Sequence, residues 1–336
     1  MKISRRYTLA ALSGATATTL AATSTAASAT AVGASGRAGT RIAGASLRGP
    51  SIDLMTPQGN VRAIARLQGN LDMKSDRYTW YDGVVSAVIP GRQVFDLFGF
   101  RGMAASRLVP LETEPGYRLL NREFGAYYDL ATREVLDTWR NPLIDETVKV
   151  VHLANDPVNH TIREWVSPPP VDRAAAAMKI EKKPLQYNWR LQDDRLLMNR
   201  VAHLFYPNAL DPKIWVRESS GPMVQASEYT SWNCSIDDMQ NRALQTVDAV
   251  GNWTRVTPWL PWMLMGPAPG HCLYECFISK VTRYEQVPEE IRVVAEKRFP
   301  LFLKSPEKFV EGSGSSLENY AKTNKPAMKR PDAISP

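Results

Sequence analysis

Arg77-Tyr78-Thr79-Trp80-Tyr81-Asp82-Gly83-Val84-Val85-Ser86-Ala87-Val88-Ile89 decides the fold class. Aromatic and β-branched residues fill both halves, and Asp82-Gly83 between them suits a tight turn, so the stretch predicts a β-hairpin. Related stretches recur downstream. Residues 124–128 and 134–139 predict a second pair joined by 129–133, and 147–153 a further strand. Residues 196–206, 223–232 and 246–255 continue the series, and 271–284 makes the longest member. Pro168-Pro169-Pro170, Pro207, Pro212 and the run from Pro258 to Pro269 punctuate it. Strands at short intervals with turn residues between them predict a mainly β fold, an antiparallel β-barrel or strongly curved sheet with a few peripheral helices. Helical spacing of apolar residues is confined to 61–67 and 288–302, the latter with Ile291, Val294, Ala295 and Phe299 on one face.

Outward from this body the chain changes character. Ser4-Arg5-Arg6-Tyr7-Thr8 precedes a mildly apolar run rich in Ala and Thr, and Ala27-Ser28-Ala29 fits a small-x-small cleavage site. Paired arginines before such a run predict a twin-arginine leader over 1–29, and with it a bacterial protein exported already folded, to the periplasm or beyond. The twin-arginine translocase is then a partner during export. No run reaches the roughly 20 apolar residues of a membrane span, so no stable anchor is expected. Residues 30–50 read as a flexible linker, 51–310 as a single β-rich domain, and 311–336 as a disordered tail. The formal charge of +7 falls to about +4 without the leader, and the basic residues form no stripe, which argues against nucleic acid.

Familiar catalytic signatures are missing. The sequence holds no G-x-S-x-G, no phosphate-binding loop ending in Lys-Ser/Thr, no G-x-G-x-x-G, no H-E-x-x-H and no C-x-x-C. These gaps count against a nucleotide-dependent enzyme, a serine hydrolase of the usual kind and a zincin, and no cofactor is specified. Cys272 and Cys276 lie four apart in one strand, hence roughly 13 Å apart and beyond disulfide reach. Either could pair with Cys234 in an oxidising compartment, and three unlinked buried thiols is the favoured reading.

The chain holds four histidines, His152, His160, His203 and His271, the side chain that titrates nearest neutrality. Alternation puts His203 on a face with Leu197, Asn199, Val201 and Phe205, an apolar face expected to point inward. A hydrogen-bonded core imidazole would suit that place, and so would an acid/base group in a cavity. His271 and Glu275 share a strand face and could bracket a ligand. His152, His203 and His271 are the candidates for a metal centre. Asp137, Arg140, Asn141, Arg200 and Glu228 are the candidate polar groups of a pocket. Nine tryptophans are a generous number for 336 residues. Most would fill a wide β core. A subset with neighbouring tyrosine (Trp80, Tyr128, Trp139, Trp259, Trp262) would line a pocket for a flat apolar ligand.

Two stretches carry a family resemblance. Tyr127-Tyr128-Asp129-Leu130-Ala131-Thr132-Arg133-Glu134-Val135-Leu136-Asp137-Thr138-Trp139-Arg140-Asn141-Pro142 resembles a strand end, short turn and acidic-Thr-Trp-x-Asn-Pro run of the bacterial domain of unknown function 1838 family. Trp259-Leu260-Pro261-Trp262-Met263-Leu264-Met265-Gly266 and the strand, helix and Phe299-Pro300 after it are similar too. Arg140 and Leu143-Ile144-Asp145 depart from the pattern, where a Thr and a Tyr-Thr-Gly-like turn are expected. The resemblance covers roughly 55–310, implies export, and transfers no catalytic residue.

Together these readings predict an exported small-molecule enzyme doing acid/base chemistry of the lyase, isomerase, hydratase or hydrolase type. Its substrate is apolar or aromatic and lies in a barrel cavity closed by 256–270. His203, Asp137, Glu275 and Arg200 are the expected catalytic groups. Trp80, Tyr128, Trp139, Asn141, Trp259 and Trp262 are the expected substrate contacts. The alternatives are a carrier of a hydrophobic ligand and a His-ligated metalloenzyme.

Overall fold

The computed structural model describes residues 46–166, 182–309 and 316–328. The leader, most of the expected linker and parts of the expected tail lie outside them. Strands β1 (Arg77–Val88), β2 (Phe95–Pro110), β3 (Gly116–Tyr128), β6 (Leu153–Asn155), β7 (His160–Arg163), β10 (Asn188–Gln192), β11 (Arg195–Pro207), β12 (Met223–Ser235), β13 (Ala249–Thr257) and β14 (His271–Val281) form one antiparallel sheet. Its order is β10-β11-β12-β13-β14-β1-β2-β3-β6, with β7 also on β3. β4 (Thr138–Asn141) pairs with β5 (Glu146–Lys149), and β8 (Trp165–Val166) with β9 (Lys183–Pro184). The helices are α1 (Pro57–Gln68), the short α2 (Ile236–Gln240), α3 (Glu289–Arg298) and α4 (Ser316–Thr323). None of the described helices is long and apolar enough to cross a membrane.

The chain is therefore mainly β, as its alternating patterns predict, but the opening stretch is not a hairpin. β1 runs straight through Asp82-Gly83, pairing with β14 on one side and β2 on the other. Glycine is needed there for proximity, since a Cβ at Gly83 would lie 2.0 Å from the Glu275 carbonyl oxygen. Asp82 is held by side chains, accepting from the Tyr128 hydroxyl at 2.6 Å and pairing with Arg133 at 2.7 Å. The longest strand is β2, with 16 residues, which the sequence reading left out. Nine consecutive residues of it are buried or nearly so, so no polar alternation marks it. The turn at 129–133 is present, but the chain returns only as a bridge between Tyr128 and Val135.

Register sorts the sheet into two faces. The inner face carries Tyr81, Phe98, Phe100, Tyr127, Met198, Trp232, Trp253, Tyr274 and their opposite numbers. One apolar cluster at this face gathers Leu119 and Ile162 from one end of the strand order with Trp189, Leu196 and Met198 from the other, under α1. A second packs Phe98, Tyr127 and Tyr274 against Trp259, Trp262 and Met263, so the proline-rich 256–270 segment does cover part of this face. A third lies on the outer face, where α3 covers Met103, Phe124 and Ala126. Cys234, Cys272 and Cys276 are buried and free.

Both ends of the body extend beyond the expected limits. Leu47 packs on the α1 cluster and its carbonyl accepts from the Leu54 amide at 2.9 Å. α4, expected to be tail, is docked instead. Its Ser316 and Asn319 bond Asn155 of β6, and Tyr320 lies 5.7 Å from Trp215. Beyond it the Ala327 amide donates to the buried Glu218 at 2.6 Å.

Candidate functional site

Between the two inner apolar clusters lies a belt of polar side chains. Ala202, Glu228, Arg255 and Tyr274 stand opposite one another across four strands, and the next row holds Arg200, Thr230, Trp253 and Cys276. Glu123 of β3 and His160 of β7 face the same way. Glu228 is ion-paired with Arg255, each with a bit more than a quarter of its side chain exposed. Water therefore reaches the belt.

Glu123 is differently placed. It accepts from Asn155 Nδ2 at 2.8 Å and has no ion pair among the described residues. Burial pushes its carboxyl pKa up, the Asn155 bond opposes this, and the nearby charge of Glu228 adds to the rise. Two carboxylates in mutual electrostatic reach thus have divergent environments, one paired with a cation and one desolvated. His160 is exposed to solvent, while the protein around it desolvates the ring and, followed by Arg200, lowers its pKa to about 4. Arg200 also acts on Tyr187. On the far side Tyr127 and Tyr274 share a 3.0 Å hydroxyl–hydroxyl bond, and burial raises the Tyr127 pKa to about 12. Gly125 opens the floor, since a Cβ there would lie 2.3 Å from the Phe100 ring, which stacks on Tyr81.

The expected residues are scattered relative to this belt. Arg200 is in it, as is Glu228. His203 is not, which corrects the expectation of an inward face. Val201 and Phe205 beside it are 53% and 57% exposed, and His203 Nδ1 meets Ser227 Oγ at 3.0 Å on the outside of β11. The predicted alternation along β11 holds, but its apolar outer face resembles a core face while facing away from the core. Glu275 and His271 also lie on the outer face, Glu275 exposed. Asp137 is an exposed loop carboxylate bonded to Arg298 at 2.6 Å, which lowers its pKa. Trp80 is on the outer face, 5.7 Å from Phe277.

Tyr128 is buried on the outer side of β3 between Asp82 and Arg133. Asn141 is fully buried and structural, donating to the Met263 carbonyl at 2.8 Å. Trp139, Trp259 and Trp262 pack in the second inner cluster, where Trp139 and Trp262 meet edge to face. The histidines proposed for a metal do not converge. His203 and His271 are outside, whereas His152 accepts from the Tyr127 amide at 3.2 Å, and no group of three His, Cys, Asp or Glu suited to a metal occurs among the described residues.

The sequence reading missed Glu123, His160 and Arg255 as site residues. Period-two alternation carried back from Tyr127 would have found Glu123. Two open depressions, of about 380 and 360 Å³, lie on the outer face beside Ser227 and His271 and beside Asn199 and Phe277. Neither brings an acid and a base together, so the inner belt is the candidate site.

His152 gives a pH prediction. Burial, then Arg298, lowers its pKa to about 4, so the fold keeps it neutral while the unfolded chain protonates near 6.5. A depressed folded pKa means stability is full above 6.5 and drains as pH falls toward 4. Urea unfolding should lose about 2–3 kcal/mol from this group between pH 7 and 4.5. His152→Gln should flatten that slope, and an unchanged slope would refute the assignment.

No curated protein matches the chain. The model of one family, described as protein of unknown function (DUF1838), matches residues 74–324, which takes in the whole sheet, the polar belt and α4 but not α1. The chain is thus a member of the DUF1838 family.

Proposed function

We propose that the sheet curls into an open barrel whose inner belt binds an apolar or aromatic small molecule and performs acid/base chemistry on it. Glu123 is the proton-transferring group, and Glu228, ion-paired with Arg255, is the electrostatic partner. Trp253, Tyr81 and Phe100 are the flat walls. The observation that carries this reading is the pair of inward carboxyls with opposite environments, one desolvated so that its pKa is raised and one ion-paired with an arginine, the kind of asymmetry that proton transfer uses. The curl is supported by the strands at both ends of the order sharing one apolar cluster. The paired arginines of the leader support export in the folded state, to a compartment where substrate is met outside the cytoplasm.

The test of the cavity uses a neutral fluorescent probe, N-phenyl-1-naphthylamine. Wild-type protein should bind it saturably, with energy transfer from tryptophan. Ala202 faces the belt directly opposite Glu228, so Ala202→Trp should fill the space and weaken binding by about tenfold or more. Phe205→Ser, on the exposed outer face, should leave binding unchanged. Loss of binding in Phe205→Ser with none in Ala202→Trp would move the ligand site to the outer face and end this reading.

A further inference from the structure

We propose that Asn155 is a positioning residue for Glu123 and that α4 sets it, so that the docked helix holds Glu123 ready as a base; this rests on the reading of Glu123 as the proton-transferring group. Asn155 ends β6 directly opposite Glu123 of β3 and is 6% exposed. Among the described residues its amide is the only side chain bonded to the Glu123 carboxyl, with Nδ2 donating to Oε1 at 2.8 Å. The same amide reaches α4. Nδ2 also donates to Ser316 Oγ at 3.2 Å, and Oδ1 accepts from Asn319 Nδ2 and from Ser316 Oγ, both at 3.3 Å.

An amide has two ends of opposite polarity, and the end that meets the carboxyl decides which form it stabilises. Nδ2 toward Glu123 offers a donor, which favours the carboxylate. Oδ1 toward Glu123 would offer an acceptor, which only the protonated carboxyl can use. Half a turn of the amide exchanges the two. Asn319 opposes that turn from the α4 side, because its Nδ2 requires an acceptor and so keeps Oδ1 of Asn155 turned toward the helix. Asn319 is fixed in its turn by a group that cannot reverse. The Ala154 carbonyl accepts from the same nitrogen at 3.3 Å. Ser316 does not discriminate, since a hydroxyl both donates and accepts.

The surroundings leave this amide a deciding part. Burial and the charge of Glu228 oppose ionisation of Glu123, and of the groups that favour it Asn155 acts more strongly than Arg255. Lys280 lies in the same inner row three strands away, but its ammonium is engaged at the end of α1. His160 of β7 is neutral near pH 7, and α4 brings Glu318 and Lys322, of opposite charge and both exposed. The docking of α4 is shallow: none of its residues is buried, and Tyr320 meets Trp215 at 5.7 Å. Linkage makes the coupling reciprocal. A docked helix favours the carboxylate, and ionisation favours docking by the same factor.

Carbon-13 NMR of the full chain, labelled at the glutamate carboxyl carbon and assigned with Glu123→Gln, reads the protonation of Glu123 directly. Asn319→Ala leaves Tyr320 against Trp215 and should raise the Glu123 pKa by about half a unit to one unit. Asn155→Ala removes the donor itself and should raise it by about one unit or more. In the wild type the amides of residues 317–323, corrected for the intrinsic effect of pH, should exchange about three- to tenfold more slowly once Glu123 is ionised. Glu123→Gln should remove that dependence. A Glu123 pKa unmoved or lowered in Asn319→Ala, or exchange in α4 that ignores the ionisation, would leave Asn155 and α4 with structural roles and overturn the proposal. The belt as a ligand site fails by a different result, the absence of N-phenyl-1-naphthylamine binding, because the titration needs no ligand.

Discussion

Replacing Lys280 by methionine is expected to cost the fold about 3 kcal/mol. Lys280 is 1% exposed on β14, and its Nζ donates to the carbonyls of Arg66 at 2.6 Å, Val247 at 2.9 Å and Gly69 at 3.2 Å, and to Thr246 Oγ1 at 2.7 Å. Arg66 O and Gly69 O belong to the C-terminal end of α1, where carbonyls lack intrahelical partners and a cation is favoured. Burial pushes the ammonium pKa down. The four surrounding acceptors hold the proton, because a neutral amine has two N–H donors and would turn its lone pair toward oxygen. Arg66 repeats the device in the other direction, capping α2 by donating to the carbonyls of Met239 at 2.6 Å, Asn241 at 2.8 Å and Asp238 at 2.9 Å. The two cations lock α1, α2 and β14 together.

Methionine matches the length of lysine and removes the cost of a buried charge, yet it takes the charged donor from three buried carbonyls, of which Arg66 O keeps the Val247 amide at 3.1 Å and Gly69 O the Thr246 hydroxyl at 2.9 Å. The net loss should appear as a lower urea midpoint with an unchanged dependence on urea concentration. Lys149→Met on the exposed side of β5 should shift stability by no more than about 0.5 kcal/mol. A loss below about 1 kcal/mol for Lys280→Met would mean that water reaches these carbonyls and that the lysine is dispensable.

The sheet was legible in the sequence and the direction of its faces was not. Strands β11 to β14 were read to within a few residues, because Val, Thr, Tyr and Trp alternate there between turn signals. Which side of each strand faces the core depends on what covers the other side. Val201, Phe205 and Phe277 are apolar and uncovered, so the outer face of β11 and β14 resembles an interior. That single inversion moved the expected acid/base role from the inner belt to His203 and Glu275. β2 was lost for the opposite reason, since it is covered on both sides, by α3 without and the aromatic cluster within. Asp82-Gly83 shows how a turn dipeptide can serve proximity instead, at a point where β1 lies close against β14. Arg200 and Glu228 were within reach from residue type alone. Their joining with Glu123 and His160 depends on pairings distant in sequence, which local periodicity does not encode.

Glu123→Gln is expected to lower turnover of the belt's substrate by about 10²- to 10⁴-fold while the protein stays folded. The substrate for this assay is the small molecule that mass spectrometry identifies in protein extracted without denaturation. Glutamine keeps an oxygen to accept from Asn155, so the link from β3 through Asn155 to Ser316 of α4 is preserved. It cannot transfer a proton. Stability separates a chemical role from a structural one. A carboxyl whose folded pKa is raised favours the fold when protonated, and that advantage is lost as pH rises through the raised value. At pH 7 the wild-type fold therefore bears the cost of ionising Glu123, and Glu123→Gln should be as stable or more so. In the wild type the acidic limb of the rate profile should lie above the ordinary carboxylate range, and in the variant it should vanish. Turnover equal to wild type would discard Glu123 as the acid/base group. Tight binding of the co-purified molecule with no chemical change by either protein would instead make the belt a carrier's pocket, in which Glu123 is a desolvated contact.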